Sequence, residues 1–61
     1  MKYHFSTWTG SEDKQLTEIM ENGIKERVKI LVLFNRAAKN LGRTAKSCQN
    51  RWYEIRAREA V

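Results

Sequence analysis

The sequence predicts an all-α fold: a three-helix bundle whose last two helices form a helix-turn-helix. Three observations carry that expectation. Apolar residues recur at three- and four-residue spacing over most of the chain, the period of a helix that buries one face. Thr9 and Thr44 stand where helices start, and Gly23 and Gly42 where they stop. The one stretch that reads as a strand, the branched apolar run from Ile30 to Phe34, has no second strand to pair with in 61 residues.

Residues 1–7 read as an arm. Tyr3 or Phe5 can pack on the domain, Lys2 can touch a phosphate, and His4 alone specifies nothing. The first helix opens on a capping box: Thr9 accepts from the amide of Glu12, and Glu12 reaches back to the amide of Thr9. Glu12 and Asp13 then suit the positive end of the helix dipole. Leu16, Ile19 and Met20 mark its inner side, and Asn22-Gly23 is the expected stop, with Gly23 left-handed. This places helix one over about residues 10–22.

A second helix is expected from about residue 26 or 28 to 40. Ile30, Leu31, Phe34, Ala37, Ala38 and Leu41 recur at helical spacing, and Gly42 takes the left-handed cap. Val28, Val32 and Leu33 are more apolar than a solvated face needs. They either cover the first helix or form a surface for a homodimer or a protein partner. Gly42, Arg43 and Thr44 make a tight turn, and Thr44 caps a third helix over about 45–57. One face of that helix carries Ala45, Cys48, Trp52 and Ile55. The other carries Lys46, Gln49, Asn50 and Tyr53, with Arg43, Arg51 and Arg56 beside them. The domain so defined is 8–58, followed by a tail at 59–61. Its expected core is Trp8, Leu16, Ile19, Phe34, Ala38, Leu41, Cys48, Trp52 and Ile55.

Composition narrows the function. The net charge of +5 lies wholly in residues 31–61; in residues 1–30 five basic side chains balance five acidic ones. A basic half beside a neutral half suits a polyanion, although many small proteins are basic without binding one. With Cys48 alone, no intramolecular disulfide is possible, and the spacing of Cys48 and His4 does not suggest a zinc site. Cys48 reads as a small buried apolar residue. No His–carboxylate–nucleophile set, phosphate loop or metal motif is present, so the chain is not expected to be an enzyme or to need a cofactor. It is too small to shelter a small-molecule substrate. Its longest apolar run is far too short to span a membrane, and no apolar leader follows Met1. A cytoplasmic protein is expected.

The ordered set Trp8-Thr9, Glu12-Asp13, Leu16, Phe34, Ala37-Ala38, Leu41-Gly42-Arg43-Thr44, Cys48 and Trp52 resembles the Myb/SANT-like family over about residues 7–56. More narrowly it is similar to the Myb-like proteins of spore-forming bacteria and their phages, including prespore-specific regulators. Two features depart from the pattern. Phe34 stands where the family has its central tryptophan, and the interval from Gly23 to Phe34 is long. Only one copy of the repeat is present, which implies weak monomeric binding, a dimer or another partner.

The resemblance implies double-stranded DNA as the partner and transcriptional regulation as the role, in a bacterial nucleoid or a phage-infected host. It implies that the third helix enters the major groove, with base contacts from Lys46, Gln49, Asn50, Tyr53 and Glu54. Side-chain chemistry agrees: Asn and Gln pair with adenine, Lys donates to guanine, and Glu accepts from cytosine. Lys39, Arg43, Arg51, Arg56 and Arg58 are the expected phosphate contacts. Arg43 has alternative structural roles, capping a helix end or pairing with Glu12 or Asp13. Arg51 has one too, pairing with an acidic residue of helix one. SANT-like relatives use the fold to bind proteins, so an interaction module, or a phage protein that binds a host factor, is the competing expectation.

Overall fold

A computed structural model describes residues 8–59, and these form an all-α three-helix bundle: α1 (Gly10–Lys25), α2 (Ile30–Leu41) and α3 (Ala45–Glu59). The expected roles of Lys2, Tyr3, His4 and Phe5 lie outside the described residues, as do residues 60 and 61 of the tail. Glu59 belongs to α3.

Local chemistry sets each helix start. At α1 the capping box is complete: Glu12 N donates to Thr9 Oγ1 at 3.2 Å, and Thr9 N donates to Glu12 Oε1 at 3.1 Å. At α3, Ser47 N donates to Thr44 Oγ1 at 3.1 Å. The start of α2 differs. Its N-cap, Lys29, makes no side-chain cap bond, and no acidic residue stands in its first turn.

Helix ends follow one device twice. Gly42 closes α2 with φ 67°, and Arg43 N reaches Ala38 O at 3.1 Å. At the end of α1 the left-handed residue is Arg27, φ 65°. Val28 N bonds Gly23 O at 2.9 Å and Arg27 N bonds Ile24 O at 3.0 Å, the paired closure of a Schellman motif.

The expected stop at Gly23 is therefore corrected. Gly23 is buried inside α1, which runs to Lys25. A Cβ at Gly23 would lie 2.8 Å from Leu33 Cγ, so glycine is needed there for close approach and not for a turn. α2 accordingly begins at Ile30, later than expected. For Leu33 the first of the two alternatives holds: it is fully buried against α1, while Val28 is partly buried, so of the three only Val32 is exposed and left for a partner.

The turn at residues 26–29 lays α2 back along α1, and α3 packs across both, more closely on α2 than on α1. The core comprises Leu16, Met20, Leu33, Phe34, Ala37, Leu41, Cys48, Trp52 and Ile55, with Trp8, Ile19 and Ala38 packed at its edge. The expected core residues all lie in or against it; Met20, Leu33 and Ala37 complete it.

Candidate nucleic-acid interface

α3 is two-sided. Cys48, Trp52 and Ile55 face inward and are buried, whereas Lys46, Asn50 and Tyr53 share the opposite side and are exposed. At 100° per residue those three lie along one stripe. Gln49 is half-buried on the flank toward α2. Tyr53 leans on that flank too, its ring edge-on to Phe34 at 6.3 Å between centroids, and about half of the residue is left to solvent. Glu54 lies on the flank toward α1.

Two arginines expected at phosphates are instead held by α1. Arg43 is buried, its side chain only 2% exposed. Its Nε and Nη2 donate to the two carboxylate oxygens of Glu12 at 2.9 and 3.0 Å. Its guanidinium also stacks over the Trp8 ring, 4.2 Å from the centroid. Arg51 makes the same fork on Asp13, with both bonds at 2.7 Å, and a third bond to Glu54 at 3.0 Å. The pairing alternative thus holds for both, and neither guanidinium faces outward as a phosphate contact requires. The reason is local: the acidic pair that favours the α1 N-terminus sits opposite the start of α3, and a planar fork matches a carboxylate.

Both carboxyl groups respond to their partners. The hydrogen bonds from Arg43 hold Glu12 down from 4.5 to about 2. Those from Arg51 lower Asp13, and the nearby charge of Arg58 acts in the same direction. Glu54 is still exposed, but it shares Arg51.

Among the expected phosphate contacts, Lys39, Arg56 and Arg58 remain at the surface. Arg56 sets its guanidinium over the Trp52 ring, 5.5 Å from the centroid, while the residue as a whole stays exposed. Arg36, not foreseen for this role, is also exposed on α2. Charge at a helical surface position was the signal that could have found it.

No protein-family model matches the chain, and no curated protein or solved structure matches it significantly. The site therefore stands on its geometry and chemistry. Among the described residues no helix is long and apolar enough to cross a membrane, and no group of His, Cys, Asp or Glu side chains is placed to hold a metal ion. An open, shallow groove between α1 and α2, lined by Gln15, Glu18, Ile19, Asn22 and Asn40, is separate from the α3 stripe.

Proposed function

We propose that the chain is a double-stranded DNA-binding module of Myb-like type, with α2, the turn at residues 42–44 and α3 acting as a helix-turn-helix and α3 lying in the major groove. The observation that carries the reading is the exposed stripe of Lys46, Asn50 and Tyr53, opposite the buried Cys48, Trp52 and Ile55. A helix of about 10–12 Å diameter fits a major groove of about 12 Å. Lys46 and Asn50 supply most of the base readout, Gln49 and Tyr53 support it from the α2 flank, and Glu54 sits at its margin.

Phosphate contacts fall to Lys39, Arg56 and Arg58. Arg43 and Arg51 act indirectly, by fixing the pose of α3 on α1. Transcriptional regulation in the cytoplasm is the role this implies, without catalysis or a cofactor.

The test is selection from a random duplex pool at low and moderate salt, followed by sequencing of the bound fraction. An enriched short motif that disappears in Asn50→Ala supports major-groove readout. Salt-sensitive binding without any motif, or no binding at low salt, overturns it.

A further inference from the structure

The end of the bundle away from the turn at residues 42–44 carries an apolar surface that α3 does not cover. Leu31 is 68% exposed, Ile24 49% and Val32 43%, and Ile30 lies beside them, partly open. The patch joins the last turn of α1 to the first turn of α2, where Lys25, Arg27 and Lys29 are all exposed and Glu26 is the one acidic residue between positions 22 and 53. α2 adds the positive end of its dipole, with neither an acidic side chain in its first turn nor a side-chain cap.

We infer that this end docks an acidic, amphipathic segment of a partner protein, whose aliphatic side chains cover Leu31, Ile24 and Ile30 and whose carboxylates meet Lys25, Arg27, Lys29 and the open end of α2. Charge decides among occupants. A second copy of this chain seated through the same patch would set two rings of cations and two helix N-termini face to face, because a two-fold contact pairs each patch with itself. An anionic bilayer matches the charge but favours aromatic anchors, and Ile24, Ile30, Leu31 and Val32 are all aliphatic. An apolar helix face edged with Asp and Glu matches both the aliphatic surface and its rim. The inference goes beyond the DNA reading and does not depend on it, since the α3 stripe lies elsewhere.

The test uses the whole chain, isotope-labelled, titrated with a synthetic peptide of about four helical turns that has leucine at i, i+3, i+4 and i+7 and glutamate between. The amide signals of residues 24–32 should shift, less so as salt is raised. Leu31→Asp should weaken binding about tenfold, the loss of one buried leucine, while leaving DNA binding unchanged. The substitution is at an exposed first-turn position where an acidic residue favours the helix, so the fold is retained. Four results overturn the inference. The first is equal binding of a peptide with lysine for glutamate. The second is shifts confined to Lys46, Asn50 and Tyr53, which would make the peptide a phosphate mimic. The third is stronger binding to phosphatidylglycerol vesicles, or a dimer in sedimentation that Leu31→Asp dissolves. The fourth is no binding at all.

Discussion

Arg43 and Arg51 serve one structural purpose, whereas Arg56 and Arg58, a few residues further on, stay exposed. Arg43 and Arg51 sit near the proposed DNA-reading face in sequence, yet each spends its guanidinium on a carboxylate of α1. Removing Glu12 would leave Arg43 buried without its charge partner, so Glu12→Ala should lower stability on the order of 3 kcal/mol in chemical denaturation. Arg43→Lys should be far from neutral, because lysine has neither the fork nor the flat face that lies on Trp8. The folded-state pKa of Glu12 is depressed, so its contribution is complete above about 4.5 and is lost as pH falls toward about 2. Asp13 is lowered in the same direction. Thermal melts from pH 7 to pH 2 should show an acid-side loss that is reduced in Glu12→Gln. Asn50→Ala should instead leave the melt unchanged and weaken specific binding more than nonspecific binding; equal losses would remove its role in readout. Pairing and phosphate contact were both legible for Arg43 and Arg51 in the sequence. What decided between them was a distance across 31 and 38 residues, which no local pattern contains.

At the scale of the helices, the capped starts of α1 and α3 were easier to read than the uncapped start of α2. Thr9 with Glu12, and Thr44 with Ser47, are satisfied within three residues of each other, so the sequence alone contains the whole interaction. Gly42 was legible for the same reason. Gly23 was not, because glycine marks both helix ends and close contacts between helices, and its partner Leu33 is in the next helix. Arg27 then takes the left-handed position without the residue type that announces it. Two substitutions separate these roles. Gly23→Ala gains helix propensity but collides with Leu33, for a net loss of about 1–2 kcal/mol. Arg27→Gly relieves the left-handed backbone and should gain roughly 0.5–1 kcal/mol. Denaturant midpoints of the two variants should move in opposite directions; a shift in the same direction would contradict the assignment.

Taken as a whole, the molecule stands on a thin core in which single aromatic residues are a large share. Trp52→Ala or Phe34→Ala should cost on the order of 3–5 kcal/mol, enough to unfold a domain of this size, and loss of the helical circular dichroism signal would show it. Charge also has a different meaning at this scale. A sum over residues 31–61 suggests a wide basic surface, but two of its arginines are neutralised against α1. DNA affinity should therefore fall with salt at a slope of about −3, the value for three phosphates, and not the steeper slope that all the basic side chains would give. The fold class, three helices and most of the core were legible because they rest on periodicity. The net surface charge was not, because it depends on which charges meet. Cys48 has a further use in the intact protein. Its thiol is fully buried on the inner face of α3, and burial raises its pKa, so a thiol-alkylating reagent reaches it only when the bundle opens. The rate of labelling is then a clock for that opening, needing no added chromophore. A duplex that clasps α3 should slow the clock by the factor by which it favours the closed form.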